Sequence, residues 1–253
     1  MVKRRAVDRA DKALEPDTLP LMYKSLVPLT ADRHSGMYLT ENRNYEFASV
    51  ANAIPVTADE FTATLRTYPI VLAGSEIPTP VALVGTKVGS NDYVESDGSW
   101  SAQSYVPAYV RRYPFAFVQE SVTSDRNILC ADLSSIQFET SGPTERALFT
   151  EDGKTSPVLD RVMDFCKRYE LAQQRTRLAM EEAVRLDLVD VSTVTISRGG
   201  KSVKVDGFRM ISEEKLRKLS DGDLASLARR GLLQIFTAHH LSLANFSGMG
   251  SQL

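Results

Sequence analysis

The chain predicts an α+β fold: a mostly antiparallel sheet covered by a long helix and by C-terminal helices, in a single domain. Two features of its 253 residues carry this expectation. Short apolar runs punctuated by proline and glycine crowd the first 135 positions, and stripes at helical spacing take over from position 157. Strands first and helices later favour α+β over alternating βαβ units. The domain plan is a charged, mobile N-terminal arm over 1–19, the α+β domain over 20–246 and a frayed tail over 247–253.

Val27-Pro28-Leu29 opens the ordered part, and Tyr45 to Ala53 reads as extended, with Tyr45 and Phe47 on one face. A helix start follows. Thr57 is a good N-cap, Glu60 completes a capping box, and Val56 before the cap can staple to Phe61. Tyr68-Pro69 stops that helix, because a residue before proline avoids the α region. Ile70–Ala73 and Val81–Val84 are continuous apolar runs of the kind that form buried strands. Asp97-Gly98 is a turn signal, and Tyr113–Val118 and Asn127–Leu133 are two further strands. Ser156 as N-cap with Pro157 at the first helical position begins the long helix. Its stripe of Leu159, Val162, Met163, Cys166 and Tyr169 extends to about Leu186. Val191–Ser197 and Ser202–Met210 are strands around Gly199-Gly200, a two-residue hairpin turn. Two helices close the fold, capped near Ser212 and Ser220. The second shows a stripe of Leu224, Leu227, Ala228, Gly231, Leu232 and Ile235.

Composition excludes several roles. With 30 Lys and Arg against 32 Asp and Glu, the formal charge is −2, and nothing global draws the chain to nucleic acid or anionic lipid. No run of about 18 apolar residues occurs, so no membrane span is expected. The basic start Met1-Val2-Lys3-Arg4-Arg5 leads into Asp8, Arg9, Asp11, Lys12 and Glu15 instead of an apolar core. A signal peptide is therefore not expected, and a cytoplasmic location is. Cys130 and Cys166 make no disulfide framework and read as buried thiols.

The densest cluster of recognition-type residues lies at Tyr105–Phe117, with five aromatics, two prolines and the Arg111-Arg112 pair. On a strand these two arginines would face opposite sides of the sheet, one stacking on tyrosine and the other forking onto a carboxylate. Tyr and Arg are enriched where interfaces carry their energy. Tyr105, Tyr109, Arg111, Arg112 and Tyr113, with the lone Trp100 just past the Asp97-Gly98 turn, are the candidate binding residues. The expected partner is a protein or peptide.

Chemical motifs are few. His239 and His240 are adjacent, about 100° apart on a helix, and do not chelate one metal; one would pack on Ile235 and Leu243 while the other meets solvent. Gly200-Lys201-Ser202 resembles the end of a P-loop, but Thr195 stands where its first glycine belongs. No metal and no cofactor is expected. A catalytic alternative would assemble from Asp132, His34 and Arg112 and act on a peptide beside an oxidative enzyme.

A longer pattern runs through the chain. It comprises Val27-Pro28-Leu29 with Arg33-His34, Phe47-Ala48, Glu60-Phe61, Tyr68-Pro69-Ile70-Val71, Ala82-Leu83-Val84-Gly85 and Gly98 with Trp100. Tyr105-Val106-Pro107-Ala108-Tyr109-Val110-Arg111-Arg112-Tyr113-Pro114-Phe115 and Leu148-Phe149 with Gly153 complete it. In these residues the chain resembles the SapC family of bacterial proteins. That family takes its label from a protein tied to the surface layer, and members occur beside flavin-dependent tryptophan halogenases and outer-membrane receptors. The resemblance implies a non-enzymatic accessory protein of a surface-layer, secretion or receptor-associated pathway. A halogenase-type enzyme partner and a structural surface-layer component are the other readings. It carries over no catalytic residue.

Overall fold

The computed structural model describes residues 19–41, 43–119, 126–198 and 201–249. The expected mobile arm, except its last residue, and the Gly199-Gly200 turn lie outside the described residues. The fold is α+β with antiparallel pairing throughout the described strands. The chain forms two compact units, each made of two separated stretches. Unit one comprises Met1–Asn44 and Arg112–Arg168, and unit two Tyr45–Arg111 and Tyr169–Leu253.

Unit one holds a three-stranded sheet in the order β1 (Val27–Pro28), β7 (Asn127–Ala131), β6 (Phe115–Gln119). A second pair joins β2 (Tyr38–Leu39) to β8 (Phe138–Glu139), and α1 (Ala31–His34) follows β1. The apolar runs at Phe115 and Leu129 do form strands, because Phe115, Leu129 and Ala131 bury their side chains with Leu148, Phe149, Leu159 and Cys166. Each such large side chain contributes roughly 1.5–3 kcal/mol by leaving water. Cys130 and Cys166 are both free and buried; burial pushes the Cys130 thiol up to about 11.

The long helix α4 spans Pro157–Arg185, close to the bounds expected. Ser156 Oγ accepts from the Leu159 N–H at 3.3 Å and donates to the Ala147 carbonyl at 2.5 Å. Leu159, Val162, Met163 and Cys166 serve the core of unit one. Ala179, Met180 and Ala183 serve that of unit two.

Unit two is built on a five-stranded sheet in the order β3 (Ala53–Pro55), β5 (Thr79–Leu83), β4 (Ile70–Ala73), β10 (Lys201–Ile211), β9 (Val189–Arg198). The late hairpin therefore does join the earlier strands, through the Arg209–Leu72 pair. The strands of the first 135 residues, by contrast, are divided among three sheets. The helices α5 (Glu213–Arg217), α6 (Asp221–Arg229) and α7 (Leu232–Ser242) pack with α4 on Leu72 and Ile211 through Leu216, Leu227, Leu232 and Phe236. Met249 is buried against Phe208 and Phe246, and residues 250–253 lie outside the described ones.

Three local expectations need correction. Tyr45–Ala53 is not extended: Glu46–Ala48 is a 3-10 turn, closed by Ala48 N–H to Tyr45 O at 2.8 Å and Ser49 N–H to Glu46 O at 2.9 Å. Arg111 and Arg112 lie on a helix, α3 (Ala108–Arg112), and not on a strand. The Pro107 carbonyl accepts from both Val110 and Arg111 N–H at 3.0 Å, which turns the backbone into helix before the following strand can start. The stripe Leu224–Ile235 is not one helix. Gly231, at φ 73°, ends α6 and caps α7, a left-handed conformation that glycine adopts without a Cβ penalty.

Candidate functional site

The segment 105–113 begins in unit two and ends in unit one, and in each unit it is fastened to a buried carboxylate. In unit two this is Glu60. Its position follows from the capping box: Glu60 Oε2 accepts from the Thr57 backbone N–H at 3.0 Å and from the Thr57 hydroxyl at 2.8 Å. A 3-10 turn (Ala58–Glu60) then leads into α2 (Phe61–Thr64). The other oxygen, Oε1, accepts from the Tyr105 hydroxyl at 2.8 Å and from the Ala108 N–H at 2.6 Å. Arg111 Nη2 donates to the same Tyr105 oxygen at 2.9 Å, and its Nε donates to the Val106 carbonyl at 3.0 Å. The guanidinium also lies 5.5 Å from the Tyr105 ring centroid, within cation–π range. Burial first, then the Glu60 charge, pushes the Tyr105 phenol up to about 12 against the opposing pull of Arg111.

Trp100 and Tyr109 complete the unit-two part, and both are buried. Trp100 Nε1 donates to the Tyr68 hydroxyl at 3.0 Å, which donates in turn to the Tyr105 carbonyl at 2.6 Å. Tyr45 stands edge-on to Trp100 at 5.7 Å, and Tyr109 edge-on to Tyr169 at 6.4 Å. Burial raises the Tyr68 phenol far above its usual value, so it stays a neutral donor.

In unit one the carboxylate is Asp132, fully buried. Oδ1 accepts from the Ser134 N–H at 3.0 Å and hydroxyl at 2.6 Å. Oδ2 accepts from the Lys24 N–H at 2.7 Å, with the Tyr113 hydroxyl more distant at 3.5 Å. Arg112 is 7% exposed, its guanidinium 5.7 Å from the Tyr23 ring centroid. The Tyr113–Pro114 peptide bond is cis. His34 is buried as well, its Nδ1 within 3.1 Å of Thr30 N and 3.0 Å of Thr30 O. Asp132 is thus engaged by backbone both near, at Ser134, and far, at Lys24, and His34 by its own local backbone. Of the six candidate binding residues, Trp100, Tyr109, Arg112 and Tyr113 are buried, and only Tyr105 and Arg111 are partly exposed.

One feature that the sequence did not suggest is a groove of about 610 Å³ in unit two. One wall is the β3 end at Pro55, Val56 and Thr57, a second is the β4–β5 loop from Ser75 to Pro80, and the third is α4 from Tyr169 to Met180. Buried Val56, Pro78, Pro80 and Met180 make its floor apolar. Glu76, Glu170, Gln173, Gln174 and Arg177 supply polar groups around it. Thr176 Oγ1 accepts from the Ala58 N–H at 2.8 Å, which ties α4 to the first wall. Arg209 donates to the Ser75 carbonyl and tethers the loop. Neither His nor Cys lines the groove. The Pro78 and Pro80 punctuation was visible in the sequence, but the convergence with α4, about 100 positions later, was not.

His239 and His240 do not divide as core and solvent. His239 Nε2 accepts from the Ile211 N–H at 3.2 Å, and His240 Nε2 lies 2.9 Å from the Ile211 carbonyl, so the pair clasps one residue of β10 from both of its backbone groups. Ser242, one turn on, accepts from the Ile70 N–H of β4 at 2.9 Å. Burial, then the neighbouring His240, lowers His239 to about 3, so it is neutral at physiological pH. Among the described residues no group of His, Cys, Asp and Glu is arranged to hold a metal ion. None of their helices is long and apolar enough to cross a membrane.

In comparisons with known proteins, the SapC family model matches residues 29–249, which is most of the chain. No curated protein matches, and no solved structure does.

Proposed function

The chain belongs to the SapC family, and from that premise we propose that it works as a non-enzymatic accessory protein, binding a protein or peptide partner in a bacterial surface-layer, secretion or receptor-associated pathway. The observation that most supports this reading is the unit-two groove. Its size falls in the range of ligand sites, and its apolar floor beneath a few polar groups is the usual chemistry of recognition. The proposed occupant is an extended peptide segment. Gln173 and Gln174 offer amides that both donate and accept, which suits peptide backbone, and the floor takes apolar side chains.

In this reading Tyr105, Tyr109, Arg111 and Trp100 brace unit two, and Arg112 and Tyr113 brace unit one. Tyr105 already bonds Glu60, and Trp100 already bonds Tyr68. The partner contact falls to the groove rim.

A peptide-display selection on the purified chain, followed by calorimetric titration of the recovered peptides, tests this. Gln174 and Arg177 are exposed, so the double variant Gln174→Glu, Arg177→Glu should fold normally. It is expected to weaken binding about tenfold or more, the equivalent of about 1.4 kcal/mol. Peptides that bind the rim variant as well as the parent, but lose affinity when Arg111 is replaced by Lys, would return the contact to the aromatic segment.

A further inference from the structure

We propose that β9 is a self-association edge, along which two copies of this chain join by antiparallel β9–β9 pairing centred on Val194. Among the described residues, β9 is the last strand of the five-stranded sheet and is paired on one side only, by β10. Such an edge presents a row of unsatisfied backbone donors and acceptors. It is ten residues long, and from Val191 to Ser197 it contains no charge, proline or glycine, the devices that usually blunt an edge. Val191 is 76% exposed, and Thr193 and Thr195 are exposed on the same face.

The backbone parity of the strand is readable. The Ser212 N–H donates to the Leu188 carbonyl at 2.7 Å, just before β9 begins. Among the described residues of the hairpin the one irregularity is an extra residue on β10, between Val205 and Phe208, so alternation along β9 is unbroken. Even-numbered residues therefore turn their backbone groups toward β10, and Val191, Thr193 and Thr195 turn theirs outward.

The occupant follows from self-complementarity. A two-fold interface brings residue i to residue j and residue j to residue i, so a strand that pairs with its own copy must match its own reversal. About Val194 it does. Thr193 falls opposite Thr195 of the second copy, both with outward backbone groups, and Val194 falls opposite Val194. In this register Asp190 does not fall opposite the Asp190 of the second copy, so no like charges meet there. Thr–Thr pairs are favourable cross-strand neighbours, whereas like charges placed there repel. Asp190 also holds Lys215 at 2.7 Å and remains 45% exposed. A heterologous peptide would require none of this symmetry.

Sedimentation velocity of the full chain over a concentration series is the test, with circular dichroism as a folding check. The parent chain is expected to show a reversible monomer–dimer equilibrium. Thr193→Lys with Thr195→Lys puts lysine opposite lysine at two related places and should raise the dimer Kd about tenfold or more. Thr193→Lys with Thr195→Glu puts lysine opposite glutamate and should restore the dimer. Thr193→Pro removes an outward N–H that β10 does not use, and should yield a folded monomer. A monomeric parent chain overturns the proposal, as does a Lys–Lys variant that dimerises like the parent. A Lys–Glu variant no better than Lys–Lys overturns the register, and with it the proposal.

Discussion

Unit one and unit two hold opposite ends of one aromatic segment by the same device, yet assemble it from different parts. In both, one carboxylate oxygen is engaged locally and the other by distant chain. Glu60 gives Oε2 to Thr57 three residues back and Oε1 to Tyr105 and Ala108. Asp132 gives Oδ1 to Ser134 two residues on and Oδ2 to the Lys24 N–H, 108 positions away. The longer glutamate side chain spans a helical cap, whereas the shorter aspartate closes a tight turn. The local half holds each carboxylate in one orientation, so the distant donors meet a group whose freedom is already spent. Unit two adds a cation through a phenol, Arg111 to Tyr105 to Glu60.

Removing the unit-one carboxylate should have the largest effect. Asp132→Ala leaves the Lys24 and Ser134 N–H groups without their acceptor: Asp132 is fully buried, whereas Lys24 and Ser134 are exposed residues. A loss of about 3 kcal/mol is expected, as each hydrogen bond to a charged group contributes about 1.5–3 kcal/mol and the exposure of the donors keeps the total near the lower end. Urea unfolding followed by tyrosine and tryptophan fluorescence measures it; a loss below about 1 kcal/mol would mean that unit one does not depend on this hub.

Glu60→Gln is milder. It keeps the shape but turns one acceptor oxygen into a donor facing donors already in place, at a cost of about 2 kcal/mol. Trp100, in the same unit, should report the change. If Glu60→Gln costs more than Asp132→Ala, the ranking of the two hubs is reversed.

The third effect separates the units by pH. His239 belongs to unit two and is held neutral at about 3 in the fold, against 6.5 for the free side chain. Its folded value is depressed, so unfolding takes up a proton as pH falls below 6.5. The stability from its neutral form is complete above 6.5 and is lost toward 3. Its contribution to the slope is about 1.4 kcal/mol for each pH unit inside that window. His239→Gln keeps an acceptor for the Ile211 N–H without titrating, and should remove that part of the slope. A slope unchanged by the variant would assign the acid sensitivity elsewhere.

Local chemistry was legible in advance. The capping box at Thr57 and Glu60, the Ser156-Pro157 helix start and the Ser212 and Ser220 caps each rest on residues three or four apart, and all stand in the structure. The strand Ile70–Ala73 has the bounds its apolar run predicted. Gly85 lies at the end of a family-like motif for a reason only packing reveals: a Cβ there would sit 1.9 Å from the Ser90 carbonyl oxygen. The aromatic–arginine segment, expected to bind a partner, spends most of its contacts inside the fold. Its helix was missed, because Pro107 starts a turn whose hydrogen bonds outweigh the strand preference of its Tyr and Val residues. The break at Gly231 was missed because a helical stripe of apolar residues can run across two helices that bury the same face.

Residue order alone was enough for most elements and their caps, the α+β class and the family, since these depend on neighbours within a turn or on a motif spread along the chain. The tertiary structure alone decided which donors reach Glu60 and Asp132, that α4 walls a groove with the β4–β5 loop, and that β9 stands at an edge. Those outcomes depend on pairings between residues tens to more than a hundred positions apart. Such pairings are selected by the burial of whole faces and the satisfaction of every enclosed polar group, and no short window of sequence contains either condition.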